Sequence, residues 1–175
     1  MCYLEKFSKI KNKILVIRNN VRRTLLHIAC QRGCVEMVEL LLKELKENGI
    51  RAMAHDENGD TPLTLAYIRG FGFSSSEDYV EKDKYPDRPV GERNRKTSKR
   101  YQIVKRLIDF RNHKDEVVFS IKDACKPKKN TPLHWAIYWS DLNLVRITYF
   151  EFPAQIFMVN KDKLIPFDMC LECNS

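Results

Sequence analysis

No run in this chain approaches the ~20 consecutive apolar residues that a membrane-crossing helix needs. The opening residues, Met1-Cys2-Tyr3-Leu4-Glu5-Lys6, lack the charged-then-apolar layout of a secretory signal. Glu5 and a shortage of Arg and Ser also set this stretch apart from organelle-targeting peptides. Glycine is scarce, and Gly70-Phe71-Gly72 lacks the rest of any phosphate-binding fingerprint. There is no nucleophile elbow and no pair of carboxylates in an acid–base arrangement. Cysteines stand only at positions 2, 30, 34, 125, 170 and 173, too sparse for a small disulfide scaffold. They read as free thiols in a reducing compartment. These absences predict a protein that is not an enzyme, with no cofactor, no small-molecule substrate and no membrane insertion. The expected location is cytoplasmic, with the nucleus as the alternative.

What is present is an ordinary globular composition, 43% hydrophobic and 31% charged, enough for one compact domain. The formal net charge of +8 admits acidic proteins, nucleic acid or anionic lipid as partners and selects none. The chain also repeats itself. Arg23-Thr24-Leu25-Leu26-His27-Ile28-Ala29 aligns with Asp60-Thr61-Pro62-Leu63-Thr64-Leu65-Ala66 and with Asn130-Thr131-Pro132-Leu133-His134-Trp135-Ala136. A weaker fourth copy is Leu164-Ile165-Pro166-Phe167-Asp168-Met169-Cys170. Thr24 to Thr61 spans 37 residues and Thr131 to Ile165 spans 34, the period of a helix-turn-helix solenoid.

The residue types explain the pattern. Pro62 and Pro132 suit the first turn of a helix, where a missing N–H costs nothing. Thr24, Thr61 and Thr131 are placed to cap those helices. Leu26, Ala29, Leu63, Ala66, Leu133 and Ala136 fall at helical spacing and predict a face toward the neighbouring unit. Val38, Leu41, Leu42, Val104, Leu107 and Ile108 predict the apolar stripe of a second helix. Asp56-Glu57-Asn58-Gly59-Asp60 signals a turn between units.

These motifs resemble those of ankyrin-repeat proteins: Thr-Pro-Leu-His-x-Ala, then a glycine, then Val-x-x-Leu-Leu. The likeness covers roughly residues 15 to 170. Departures are Leu25 for Pro, Thr64 for His, Ser140 for Gly and Thr148 for Leu. The resemblance implies an all-α solenoid of about three repeats, with half-repeats at both ends. Tyr3, Leu4, Phe7 and Ile10 fit the second helix of an earlier half-repeat, and Pro166 to Leu171 a first helix. Incomplete ends predict a chain that is part of a longer protein or is covered by a neighbour. Phe150, Phe152, Ile156 and Phe157 flank Pro153 and are expected to cover the repeat's outer edge.

The domain reading is a single repeat domain over 1–175, interrupted by an inserted loop over 71–98. That loop is polar, acidic at its start and basic at its end, and loops so long are functional or disordered. A docking arm that orders on a partner is one reading. A nucleic-acid or nuclear-import patch built on Arg93, Arg95, Lys96, Lys99 and Arg100 is another. Ser74, Ser75 and Ser76 precede Glu77 and Asp78, as in acid-directed phosphorylation sites.

His27 and His134 are the obvious catalytic suspects, but the resemblance implies a scaffold role at the start of the first helix. His27-x2-Cys30-x3-Cys34 and Cys170-x2-Cys173, with Cys125 as a third candidate, are incomplete zinc sets, and no metal is expected. The resemblance further implies that partners bind a concave face. Its positions here are Gln31, Arg32, Ile68, Arg69, Tyr138 and Trp139 before the repeat glycine. The finger loops add His55, Glu57, Asn58, Asp60, Lys128 and Lys129, and Trp135 lies beside them. Tyr138 and Trp139 are the expected anchors, since large aromatics dominate interface energetics. The expected function is non-catalytic protein–protein binding, as a scaffold or subunit of a larger assembly, with an acidic protein as partner. The alternatives are a nucleic-acid or anionic-surface binder, and the docking portion of a longer enzyme or ion channel.

Overall fold

A computed structural model describes residues 12–68, 98–126 and 129–169. Residues 12–16 are helical and lead into the first finger. Seven α-helices follow: α1 (Leu25–Arg32), α2 (Val35–Glu47), α3 (Pro62–Ile68), α4 (Lys99–Asp109), α5 (Ile121–Ala124), α6 (Pro132–Tyr138) and α7 (Leu142–Glu151). A 3-10 helix over Pro153–Phe157 closes the last pair. Among the described residues there is no strand, only an isolated antiparallel bridge between Arg111 and Val117.

The helices form two layers. The inner helices α1, α3 and α6 pack in sequence, α1 on α3 and α3 on α6. The outer helices α2, α4 and α7 pack in the same order, and each lies against the inner helix of its own pair. Ala29, Ala66 and Ala136 are buried at matching places, where a methyl group lets neighbouring inner helices come close. A leucine there would overpack the junction at a cost of about 1–3 kcal/mol. Val38, Leu41, Leu42 and Leu45 give α2 its buried stripe at helical spacing, and Ile103, Val104, Leu107 and Ile108 do so for α4.

Two turns make the layers possible. Gly33 ends α1 in the left-handed region (φ 69), and Ser140 takes the same conformation (φ 51) after α6. Serine accepts there a backbone strain that glycine avoids. The fingers share a second device. Asn19 Oδ1 accepts from Arg23 N–H at 2.8 Å. Asp56 Oδ1 accepts from Asn58 N–H and Asp60 N–H at 2.9 and 2.8 Å. Asn160 Oδ1 accepts from Asp162 and Leu164 N–H at 2.9 and 3.1 Å. Each side chain mimics a backbone turn, which fixes the finger's bend.

Three expectations need correction. The link from α4 to Thr131 is longer than the one from α2 to Thr61. It contains a small turn built on Asn112, whose side-chain Oδ1 accepts from Lys114 and Glu116 N–H, and the extra helix α5, capped by Ser120. Phe150 and Phe157 do not cover an edge. They stand 72% and 79% exposed, because α7 turns only Leu144 and Thr148 fully inward and the 3-10 helix only Gln155. The fourth copy keeps half of its cap: Ile165 N–H donates to Asp168 Oδ2 at 2.9 Å, with Pro166 and Met169 buried. The inserted loop and its serines lie outside the described residues, as do the first residues of the N-terminal half-repeat.

Candidate interaction surface

The two motif histidines are fixed in one tautomer. Thr24 N–H donates to His27 Nδ1 at 3.2 Å, so Nε2 carries the proton and donates to the Asp60 carbonyl at 3.2 Å. Thr131 N–H donates to His134 Nδ1 at 3.1 Å, and His134 Nε2 donates to the Leu164 carbonyl at 3.0 Å. Each imidazole thus straps its helix start to the next finger. Burial lowers both pKa values, against the pull of the carbonyl bonds, and favours the neutral rings this geometry uses. With both ring nitrogens of His27 engaged, the His27–Cys30–Cys34 spacing loses its first member. Cys30 is fully buried, and burial pushes its thiol far above the usual range.

Repeat two has Thr64 where the histidine would stand. Thr64 meets Thr61 within its own turn, Oγ1 to Oγ1 at 3.0 Å, so the imidazole strap is missing at this junction. Other groups replace it. Tyr67 Oη bonds Thr148 Oγ1 at 2.7 Å, across from α3 to α7. Trp139 Nε1 donates to the Tyr67 carbonyl at 2.9 Å, satisfying an acceptor at the C-terminal end of α3. The Arg100 guanidinium lies 3.9 Å from the Trp139 ring centroid. Tyr138 meets Trp135 and Trp139 edge-on, at 5.9 and 4.8 Å between centroids. Ser98, the N-cap of α4, donates to Asp141, the N-cap of α7.

Threonine-capped inner helices, αL turns and stacked helix pairs define a repeat geometry, and residues 10–66 match the family model described as ankyrin repeats (many copies). Residues 10–66 carry ankyrin repeats. No curated protein matches it.

Within the ankyrin frame, the expected partner-facing residues divide into four groups. Arg32, His55, Glu57, Asn58 and Lys129 are exposed. Gln31, Ile68 and Trp135 are half-buried, and Gln31 accepts from Arg23 Nη1 at 3.2 Å. Arg69 and Lys128 lie outside the described residues. Asp60, Tyr138 and Trp139 are corrections. Asp60 is 3% exposed and ion-paired with Lys126, not presented at a fingertip. Tyr138 is buried, and Trp139 is half-buried with its indole N–H spent on repeat two. The two aromatics clamp repeats two and three together.

The basic cluster changes in the same way. Arg93, Arg95 and Lys96 lie outside the described residues, and Lys99 is exposed at the start of α4. Arg100 is 1% exposed beneath α4, so it is a packing residue and not a surface charge. Lys126 was not anticipated. Its signal was present in the repeat alignment, since it stands where the other fingers have Asn19, Asp56 and Asn160.

Proposed function

We propose that the chain is a non-catalytic protein–protein interaction module, acting as a scaffold or as a subunit of a larger assembly inside the cell. One ankyrin-repeat domain would span 1–175, with residues 71–98 inserted into repeat two. The observation that carries the reading is the exposure of Arg32, His55, Glu57, Asn58 and Lys129 along consecutive fingers and helix turns. Ankyrin repeats are protein-binding modules in general, and these positions are the ones that face a partner. Rigid stacking of α1, α3 and α6 presents such side chains with little entropy left to lose. The positive balance would steer an acidic partner.

Affinity purification of the full chain, read by mass spectrometry, tests this. The comparison is wild type against Arg32→Ala/Glu57→Ala/Lys129→Ala. All three side chains are exposed, so the variant is expected to keep its helical spectrum and lose its partners. Recovery of the same partners by the folded variant would reject the concave-face reading. Capture that is nuclease-sensitive and falls steeply with salt would replace it with nucleic-acid binding.

A further inference from the structure

Between the first two fingers lies an open groove of about 450 Å³ that shares only His55 with the concave-face reading. Its floor is apolar, with Leu15, Leu45, Ile50 and Ala52 among the lining residues. Among the described residues its charged lining is of one sign: Arg18, Arg22 and Arg51, joined by His55, with no Asp or Glu. The acid next to His55 in the chain, Asp56, is buried and neutralised by Arg23 at 2.9 Å, and Glu57 after it is exposed.

One wall is an unfinished strand. Residues 51–56 belong to no helix or turn. Residues 51–55 all line the groove; Ala52 and Ala54 are buried, while Arg51, Met53 and His55 alternate with them as the more exposed side chains, the period of two that extended backbone imposes. The fingers meet where Glu57 N–H donates to the Val21 carbonyl at 3.1 Å. Below that bond the pairing stops. Among the described residues, the N–H groups of residues 51–55 find no backbone or side-chain partner, and of their carbonyls only that of His55 is engaged, by Arg18 Nη1 at 3.2 Å. Val16, on the opposite wall, is 50% exposed.

An edge of unpaired backbone is a template for an added strand, and alternate side chains then set specificity. We propose that this groove binds an extended acidic peptide segment of a partner protein, added as a strand along residues 51–55. On the groove face, Arg51, Met53 and His55 present cation, apolar and imidazole in order. The complementary segment is acid-x-apolar-x-acid, with its carboxylates at Arg51 and His55 and its apolar residue on Met53. The segment completes the backbone pairing, and Arg18 and Arg22 compensate its charge from the other wall.

The test uses the full chain and a fluorescein-labelled peptide, Ser-Glu-Thr-Val-Thr-Glu-Ser, followed by fluorescence polarisation. Saturable binding is expected, with amide shifts at residues 51–55. Arg51→Glu should weaken it ~10-fold or more, and Lys114→Glu, of equal charge change at an exposed site outside both surfaces, should leave it unchanged. A version with lysine for glutamate should not bind. The proposal fails if no saturable binding occurs, or if Arg51→Glu binds like wild type. It fails if Lys114→Glu weakens binding equally, since net charge then explains it. Contacts between residues 1–11 and Met53 in the free chain would also overturn it, giving the groove to the chain's own N-terminal segment. Arg51 is exposed and unpaired among the described residues, so an unchanged circular dichroism spectrum is expected and verifies the variant's fold.

Discussion

Trp139 separates two accounts of the same residue. As an exposed anchor it would leave stability untouched when removed. As a clamp it cannot. Trp139→Phe keeps most of the ring but leaves the Tyr67 carbonyl without its 2.9 Å donor, a loss of about 1 kcal/mol. Trp139→Ala also removes the face on which Arg100 rests at 3.9 Å, an interaction of roughly 0.5–2 kcal/mol. It further opens the contact with Tyr138. Full truncation of a core aromatic costs about 3–5 kcal/mol, and a half-buried indole belongs at the lower end of that range, near ~3 kcal/mol. In a chain of this size each kcal/mol moves the melting temperature by about 2–4 °C. The expected drop is therefore ~2–4 °C for Phe and ~6–12 °C for Ala, read by circular dichroism. Repeat stacks are held by nearest-neighbour interfaces, so the damage should also be local. Hydrogen exchange should quicken in α6 and α7 and stay slow in α1 and α2. If Trp139→Ala melts with wild type while partner binding disappears, the clamp reasoning is wrong.

Three further outcomes follow from the same contacts. His27 and His134 have folded-state pKa values below the ordinary 6.5, so their contribution to stability is complete above that value. It falls as the pH drops through the folded pKa, at no more than about 1.4 kcal/mol per pH unit for each ring. Urea midpoints from pH 7.5 to 5 should show this decline, and it should flatten in His27→Gln/His134→Gln; an equal decline in that variant refutes the assignment. Iodoacetamide should modify exposed Cys34 first, then Cys125, whose thiol burial pushes up to about 11, and Cys30 only on unfolding. Site-resolved mass spectrometry that finds native Cys30 reacting as fast as Cys34 would contradict the buried placement. Lys126→Asp alone sets a second carboxylate against Asp60 and should destabilise by about 3–5 kcal/mol. Adding Asp60→Lys should recover most of that loss, and a purely additive double variant would show that the pair is not coupled.

The repeats were legible because their signals are local. A threonine, a proline at the first helical position and an apolar pair three residues apart specify a helix start within a few residues of chain. Ala29, Ala66 and Ala136 could be placed at junctions for the same reason. The fate of Tyr138 and Trp139 was not legible. Their partners, the Tyr67 carbonyl and the Arg100 guanidinium, belong to another repeat, and nothing in Tyr-Trp-Ser states what stands opposite. Arg100 was misread for a related reason. A run of basic residues looks solvated until helical phase decides which one turns inward, and Ile103, Val104 and Leu107 set that phase for α4. The turn at Asn112 and helix α5 were missed because the long insertion absorbed the whole excess between Thr61 and Thr131 in the alignment.

The junctions also explain why these repeats stack in one order. At each of them the residue before the motif threonine meets the residue five before it in the next finger. Arg23 Nε donates to Asp56 Oδ2 at 2.9 Å, Lys126 Nζ meets Asp60, and Asn160 Nδ2 donates to Asn130 Oδ1 at 2.7 Å. The same two positions therefore carry cation–anion, anion–cation and amide–amide pairs in turn. If the third finger slid onto the first repeat, Lys126 would face Arg23. If the second finger sat on the third repeat, Asp56 would face Asn130. Asp56 and Asp60 are nearly sealed from water, where an unmatched charge costs several kcal/mol. Apolar packing of near-identical helices would tolerate such slips, because Leu-for-Leu exchange changes little. In this chain the buried polar pair, not the hydrophobic stripe, is what distinguishes one junction from the next.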